Sequence, residues 1–184
     1  VAAPVVITGS DFRFIVTEQL AEAGIDAGAV LIEPEPRNTG PAILAAALHL
    51  GAAEPGALML VMPTDHEVPD AAAFRAAVAA GIPAALAGRI VTFGIRPDRP
   101  ETGYGWIELA APPDGAPAAL DLLRFVEKPG AARAAEMLAA GRYLWNAGSF
   151  LMTAATARAA FEAHAPELVG PVAEAVAGAA ADLG

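Results

Sequence analysis

The chain has 184 residues, of which 55% are hydrophobic and 17% charged, and its mean hydropathy of +0.47 is too apolar for a disordered protein. It contains no cysteine, which excludes disulfides, thiolate metal sites and thiol nucleophiles. A net charge of −10 without a basic patch argues against nucleic acid and membrane surfaces as partners. The sequence shows no signal peptide and no membrane span, so we expect a cytoplasmic domain.

Short β-branched runs alternate with alanine-rich helical stretches along the chain. Strands are predicted at residues 4–8, 30–32, 58–62, 90–94, 106–109 and 122–126, and near residues 149–152. Helices are predicted from Ser10 or Asp11 to residue 23, at 39–50, from Asp70 to a break at Gly81 and Pro83, at 131–140, at 154–164, and from residue 171. The alternation predicts an α/β fold in a single domain, residues 1–184, with a mainly parallel central sheet flanked by helices.

The run LMLVM at residues 58–62 is unbroken apolar sequence, which is typical of a strand buried on both faces of a parallel sheet. Polar residues follow this strand and several others, at the positions where ligands bind in open parallel sheets. Glu33, Asp65 and Glu127 with Lys128 follow strands, and Asn146 lies just before the strand that carries Phe150. Their common placement at strand ends indicates one binding site.

Asp65 is a candidate metal ligand, because a carboxylate at the end of a buried strand is held rigidly and is partly desolvated. The alternative is that it caps the following turn, and its neighbour His66 is expected to point away from it. Lys128, the only lysine, offers a compact ammonium to a phosphate oxygen, or forms a surface ion pair with Glu127.

Two further segments have both a ligand-binding and a structural interpretation. Asn38 and Thr39 begin a helix whose unpaired N–H groups suit a phosphate or the edge of a base, although plain N-capping is the more common role. Gly103 and Gly105 flank Tyr104, where the missing side chains either let a ligand approach the backbone or permit a turn.

Other chemistries lack their motifs. Neither Ser10 nor Ser149 lies in a GxSxG elbow, which argues against a serine hydrolase. The three histidines show no zinc-ligand spacing. No GxGxxG follows a strand and no GxxxxGK[ST] occurs, so the dinucleotide-binding fingerprint and the P-loop are both absent.

Five motifs follow one another along the chain. They are EPEPRNTGPAI at 33–43, the LVMPTDH run ending at His66, TFGIRPDRPETGYGWI at 92–107, FVEKP at 125–129 and LWNAGSF at 144–150. Together they resemble mannose-1-phosphate guanylyltransferases of the bacterial type that occurs with or without a C-terminal mannose-6-phosphate isomerase domain. The resemblance, which extends to about Leu168, implies a Rossmann-like nucleotidyltransferase (nucleotide-diphospho-sugar transferase) fold. It also implies a reaction of GTP with mannose 1-phosphate to give GDP-mannose and pyrophosphate, with Mg²⁺ as cofactor.

The resemblance implies roles for residues that match the motifs. Asp65 resembles a Mg²⁺ ligand and Lys128 resembles the sugar-phosphate contact, so both are expected to be catalytic. Glu33, Asn38 and Thr39 lie where the family recognises the nucleotide base. The residues that resemble sugar contacts are Gly105, Glu127 and Asn146.

Two features of the family are missing from this sequence. The Gly-rich N-terminal loop ending in Arg-Leu-Trp-Pro, which holds the triphosphate, is absent, and a second metal-binding aspartate is not identifiable because Asp182 has no matching context. We therefore expect a domain truncated at its N-terminus and at its C-terminus, with little or no turnover by these residues alone. The alternatives are another sugar-nucleotide pyrophosphorylase of the same fold and a non-catalytic, nucleotide-sugar-binding regulatory domain, and association into a homo-oligomer is left open.

Overall fold

A computed structural model describes residues 2–115 and 118–181, so Asp182 and two residues of the predicted 112–117 loop lie outside the described residues. The strands are β1 (Val5–Gly9), β2 (Ala29–Glu33), β3 (Leu58–Val61), β4 (Val91–Ile95), β5 (Trp106–Leu109), β6 (Leu122–Val126) and β7 (Tyr143–Thr153). After a 3₁₀ turn (Ser10–Phe12), the helices are α1 (Arg13–Glu22), α2 (Thr39–Ala53), α3 (Ala71–Leu86), α4 (Ala131–Ala140), α5 (Ala154–His164) and α6 (Pro166–Ala177). None of the helices in these described ranges combines the length and the apolar character that crossing a bilayer requires.

The chain divides into two compact units, of which the first comprises Val1–Ala57 and Ala154–Gly184. In this unit β1 and β2 pair in parallel, with Gly9 opposite Glu33 at the end of the pair. Helix α2 packs against α5 and α6. Its buried contact residues are mostly small, which lets helices approach closely. The buried residues are Leu44 and Ala47 of α2 and Ala154 and Ala157 of α5.

The second unit, Leu58–Thr153, is built around the long strand β7. Strand β4 pairs antiparallel with one edge of β7, β3 and β5 pair with its other edge, and β6 pairs with β5. The buried cluster that joins α4 to this sheet consists of Trp106, Ala134, Met137, Tyr143 and Trp145. Because successive strand side chains point to opposite faces, Asn146 projects away from this cluster.

The prediction of a mainly parallel sheet is wrong. Among the described residues only the β1–β2 pair is parallel, and the other four pairs are antiparallel. The sequence predicts a strand only near residues 149–152, but β7 runs for 11 residues and lies between β3 and β4, which share a direction without pairing. Strand β3 is also not buried on both faces, since Leu58 and Leu60 are 37% and 39% exposed and only Met59 is buried.

Helix α3 does not break at Gly81 and Pro83 as the sequence predicts, but continues to Leu86. A Cβ on Gly81 would lie 3.2 Å from Cγ1 of Val91 and 3.3 Å from Cδ2 of Leu151, so the missing side chain lets the helix pack closely on the sheet. Pro83 removes one N–H donor near the end of the helix, and the packing of α3 on β4 and β7 compensates for that loss.

Helix α3 is capped by Asp70, the residue at which the sequence predicts this helix to begin. Oδ1 of Asp70 accepts hydrogen bonds from the backbone N–H groups of Ala72 and Ala73, at 3.1 and 2.8 Å. The cap therefore provides partners for two of the four N–H groups that the first turn of a helix leaves unpaired.

Candidate active site

The strand register brings three of the predicted site residues side by side. Trp106 pairs with the last residue of β6 and with Trp145 of β7, so the preceding residue, Gly105, lies between Glu127 and Asn146. The N–H of Asn146 donates to the carbonyl oxygen of Gly105 at 2.8 Å. A Cβ built on Gly105 would lie 2.9 Å from Oε2 of Glu127 and 3.7 Å from Cβ of Asn146. We call this arrangement the Glu127–Gly105–Asn146 row.

The carboxamide of Asn146 is held in one orientation. The backbone N–H of Gly148 and the hydroxyl of Thr92 each donate to its Oδ1 at 3.1 Å. Because a backbone N–H can only donate, the atom that faces it must be the carboxamide oxygen. Within the described residues Nδ2 of Asn146 has no hydrogen-bond partner, so its N–H groups are available to a ligand.

The loop of residues 99–105 is anchored on two tryptophans. Nε1 of Trp106 donates to the carbonyl oxygen of Glu101 at 2.9 Å. The guanidinium of Arg99 lies 4.9 Å from the ring centre of Trp145, and the ring of Tyr104 meets the same indole edge-on at 5.4 Å. These contacts fix the segment that leads into the row. The sequence motifs alone do not reveal these contacts.

The two glycines of this loop have different surroundings. The N–H of Gly103 donates to Oε1 of Glu101 at 2.9 Å, and this hydrogen bond is the main reason that the pKa of Glu101 lies below its usual value. Such a contact is typical of a turn, in agreement with the structural interpretation of Gly103. At Gly105, by contrast, a side chain would collide with the carboxylate of Glu127, so only glycine leaves the row undisturbed.

Lys128 directly follows the row and has an unusual backbone. Its φ is 38°, and among the described residues only Lys128 and Asn38 combine a positive φ with a side chain larger than hydrogen. Nζ of Lys128 is 3.9 Å from Oε1 of Glu127, and the two side chains are 66% and 73% exposed. The ion pair predicted as the alternative is therefore present, but exposed pairs contribute little stability, and the ammonium remains accessible to a phosphate.

Asp65 differs from the expectation of a rigid, partly desolvated carboxylate, because its side chain is 87% exposed. The physical reason is that β3 ends at Val61, so Asp65 lies four residues beyond the strand in an exposed turn. His66 does not point away from it, since Nε2 is 4.0 Å from Oδ1 of Asp65. In the described part of the chain, Asp65 makes no cap to the following turn, and no group of three or more ligating side chains is arranged to hold a metal ion.

The other predicted residues lie in the first unit, at the two ends of one loop. Glu33 is the last residue of β2, and Thr39 is the first residue of α2. Asn38, between them, has φ 66° and ψ −178°, a region that residues with a side chain rarely adopt. Its side chain makes no capping hydrogen bond, so the N-capping alternative does not apply to Asn38.

Glu108, three residues after Gly105, is a buried carboxylate with an exposed fraction of 4%. It accepts hydrogen bonds from Nε of Arg124 at 2.5 Å and from Nη2 of Arg142 at 2.6 Å. The hydrogen bond with Arg124 is the largest cause, followed by the contact with Tyr143, of a pKa of Glu108 that is lowered from 4.5 to about 2. This ionic cluster links β5 and β6 to the start of β7.

Acid should weaken the second unit through Glu108. Since the pKa of Glu108 is lowered by folding, its contribution to stability is complete above pH 4.5 and is lost as the pH falls through about 2. We expect Glu108→Gln to unfold at lower urea concentration than the wild type at neutral pH, and the difference to disappear on acidification. Urea unfolding followed by circular dichroism across this range tests the prediction. Glu54→Gln, which removes an exposed carboxylate, serves as control, and a constant difference for Glu108→Gln would contradict it.

Sequence reasoning missed Thr92, Trp145 and Glu108. Thr92 and Trp145 lie within two of the quoted motifs, but neither is a polar residue at the end of a predicted strand. Glu108 lies inside an apolar strand, WIEL, and a lone acidic residue at such a position indicates a buried ionic partner.

A family model described as "Nucleotidyl transferase" matches residues 1–179. The chain belongs to the nucleotidyl transferase family. This membership confirms the predicted nucleotidyltransferase fold class, whose mixture of helices and sheets the structure shows.

Curated relatives of the chain are named as xanthan biosynthesis proteins and as mannose-1-phosphate guanylyltransferases. The chain is 47% identical to the xanthan biosynthesis protein XanB of Xanthomonas campestris pv. campestris (strain B100), over 83% of this chain and 32% of that protein. It is 41% identical to the mannose-1-phosphate guanylyltransferases of Sinorhizobium fredii (strain NBRC 101917 / NGR234) and of Escherichia coli (strain K12), in each case over 98% of this chain. These alignments cover 35% and 39% of the two enzymes. The chain thus spans about a third of the length of the curated relatives that it matches.

Solved structures, two of which follow, are also similar to the chain. A mannose-1-phosphate geranyltransferase from Thermus thermophilus is 35% identical, with a TM-score of 0.78 over 96% of this chain and 50% of that one. A mannose-6-phosphate isomerase from Helicobacter pylori is 29% identical, with a TM-score of 0.80 over 94% of this chain and 64% of that one.

Proposed function

We propose that this protein transfers a guanylyl group from GTP to mannose 1-phosphate, forming GDP-mannose and pyrophosphate. The observation that carries the proposal is the Glu127–Gly105–Asn146 row, which places an acceptor carboxylate and a donor amide on either side of a residue without a side chain. Adjacent sugar hydroxyls both donate and accept, so this pair of groups suits a pyranose. Relatives named mannose-1-phosphate guanylyltransferase, at 41% identity, support the same activity.

The sugar phosphate has a suitable partner next to the row. The ammonium of Lys128 is two-thirds exposed and lies one residue beyond Glu127, so a sugar held at the row can place its phosphate near Nζ. A lysine ammonium binds a phosphate oxygen as a point charge, and the strained backbone at φ 38° supports a functional role for this position.

The guanine base is assigned to the loop between β2 and α2. The Glu33 carboxylate accepts hydrogen bonds only, which suits the N–H groups on the pairing edge of guanine. The carboxamide of Asn38 is not used as a helix cap and offers both a donor and an acceptor to the same base. Thr39 adds a hydroxyl at the start of α2.

A divalent metal is a general requirement of nucleotidyltransferases, and we propose Mg²⁺ with Asp65 as a ligand. Mg²⁺ keeps several waters and uses one or two carboxylates together with substrate phosphates, so a single exposed carboxylate fits an ion that arrives with the nucleotide. Bound there, Mg²⁺ would neutralise charge on the phosphates. Pro63 supports this placement: a Cβ on Gly148 would lie 3.8 Å from its Cγ, so the turn before Asp65 lies beside the β7 segment that follows Asn146.

The reaction needs no covalent attachment to the protein. An oxygen of mannose 1-phosphate forms a bond to the α-phosphorus of GTP, while the bond from that phosphorus to the bridging oxygen breaks and pyrophosphate leaves. The protein therefore acts by holding the two substrates in line and by offsetting negative charge. The row, Lys128 and Asp65 are the groups that perform these tasks in the second unit.

Calorimetric titration of this chain with GDP-mannose in the presence of Mg²⁺ tests the proposal. We expect binding of GDP-mannose, no comparable binding of UDP-glucose, and affinity about tenfold or more lower for Asp65→Ala, because a contact to a charged group is lost. Removing Mg²⁺ with a chelator should weaken binding to the wild type but not to Asp65→Ala.

Asp26→Ala is the matched control, since it removes an exposed aspartate outside the proposed site. It should bind as the wild type does. Equal binding of UDP-glucose and GDP-mannose would instead favour a different sugar-nucleotide pyrophosphorylase, and a lack of binding to either would contradict the proposed site.

A further inference from the structure

Thr92 lies on β4 beside the Glu127–Gly105–Asn146 row. Its hydroxyl is 3.1 Å from Oδ1 of Asn146 and 3.3 Å from the carbonyl oxygen of Ser149. Both of these atoms are acceptors, so the hydroxyl acts as a donor toward them with its single proton. The side chain is half-buried, and its partners lie on the neighbouring strand β7.

A bulge in β7 creates this contact. Gly94 of β4 opposes Asn146, yet Thr92 opposes Phe150, so β7 contains two more residues than β4 between these pairs. The extra segment includes Gly148 at φ 65°, a conformation that glycine adopts without strain. The bulge turns the N–H of Gly148 back onto Oδ1 of Asn146, next to the hydroxyl of Thr92.

We propose that Thr92 is a positioning residue that fixes the carboxamide of Asn146, so that Asn146 meets its ligand as a hydrogen-bond donor through Nδ2. Glu127, an acceptor-only carboxylate, supplies the complementary group on the other side of Gly105. The group that accepts from Nδ2 of Asn146 is then a hydroxyl oxygen of the sugar. This assignment of the ligand rests on the proposed function. The orientation of the carboxamide itself does not depend on it.

The energetic argument concerns the two orientations of the carboxamide. In the observed one, Oδ1 accepts from two donors. In the rotated one, Nδ2 would face the N–H of Gly148, which is a contact between two donors, and Oδ1 would lose both partners. The N–H of Gly148 decides between the two orientations, because the hydroxyl of Thr92 can also accept from Nδ2 while it donates to the carbonyl oxygen of Ser149. Removing this hydroxyl takes away one of the two hydrogen bonds that hold the carboxamide in place and lets the carboxamide move.

The first test needs no ligand. Side-chain amide NMR of the ¹⁵N-labelled chain measures the mobility of the Asn146 NH₂ group in the wild type, Thr92→Ser and Thr92→Val. We expect a low mobility in the wild type and in Thr92→Ser, which keeps the hydroxyl, and a clear loss of order in Thr92→Val. Thr17→Val, which removes the hydroxyl that donates to the carbonyl oxygen of Arg13 on α1, should leave the Asn146 signal unchanged. Equal mobility in all four proteins would overturn the proposal.

The second test measures affinity for GDP-mannose with Mg²⁺. Loss of one hydrogen bond should weaken binding to Thr92→Val by about three- to tenfold, with recovery in Thr92→Ser. A purely structural role for Thr92 would lower the melting temperature of Thr92→Val without this pattern of loss and rescue, and would count against the inference. If the wild type does not bind GDP-mannose while the NMR difference is present, the proposed function fails and the orienting role of Thr92 is retained.

Discussion

Replacing Trp106 by alanine is expected to lower the free energy of unfolding by about 3–5 kcal/mol. Trp106 is fully buried and lies in the cluster that joins α4 to the sheet, with its ring edge-on to Trp145 at a centroid distance of 6.1 Å. The substitution leaves a cavity and also removes the hydrogen bond from Nε1 to Glu101. Since domains are stable by only about 5–15 kcal/mol, the second unit would become marginal.

Urea unfolding followed by tryptophan fluorescence measures this effect directly. The chain has two tryptophans, so in Trp106→Ala the emission comes from Trp145 alone, within the same cluster. Trp106→Phe is the matched variant, because it keeps an aromatic ring and loses mainly the hydrogen bond and some volume. We expect it to retain most of the stability. A loss below about 1 kcal/mol for Trp106→Ala would show that this cluster does not dominate the stability of the second unit.

Local signals predicted many element bounds correctly. Strands β5 and β6 and helices α4 and α5 begin and end at the predicted residues, 106–109, 122–126, 131–140 and 154–164. Helix α4 illustrates the reason: Pro129 and Gly130 precede it, and Gly141 ends it at φ 68°, the left-handed conformation that favours glycine at a helix end. Such boundaries are predictable because they depend on residues that are close together in the chain.

Strand pairing and exposure were harder to predict, because they depend on residues far apart in the chain. The apolar run of β3 indicates a parallel strand that is buried on both faces. In the structure β3 pairs antiparallel with β7, and the face that carries Leu58 and Leu60 is partly exposed. The sequence predicts Asp65 at the end of this strand. In the structure β3 ends at Val61, so Asp65 lies in the turn that follows and its side chain is exposed. A periodicity argument cannot determine which distant strand becomes the neighbour.

The candidate site depends both on local sequence motifs and on the pairing of distant strands. The motifs indicated Gly105, Glu127 and Asn146 one by one, and the register of β5 with β6 and β7 places them in a row. The orientation of Asn146 depends on Thr92 and on the bulge at 148, neither of which a strand-end rule detects. The motifs therefore indicate which residues to expect at the site, while the donor and acceptor directions of Glu127 and Asn146 depend on the fold.

Adding a single methyl group at Gly105 is expected to reduce GDP-mannose binding by about tenfold or more while leaving the fold intact. The new Cβ would lie 2.9 Å from Oε2 of Glu127, so the carboxylate has to move. That side chain is 73% exposed and flexible, and Gly105 does not have a positive φ, so the move costs little folding free energy. Binding suffers because the carboxylate leaves the place where it faces the sugar, and misplacement of about 1 Å in such a contact is enough for a large loss.

Calorimetry with GDP-mannose and Mg²⁺, together with thermal unfolding, separates these two effects for Gly105→Ala. Gly56→Ala is the matched control, because a Cβ at that position meets no atom within 4 Å. Both variants should melt close to the wild type, and only Gly105→Ala should lose affinity. Unchanged binding by Gly105→Ala would mean that the Glu127 carboxylate does not contact the ligand. A large fall in melting temperature would mean instead that Gly105 is required for the packing of β5 between β6 and β7, and that the row is a structural feature of the sheet.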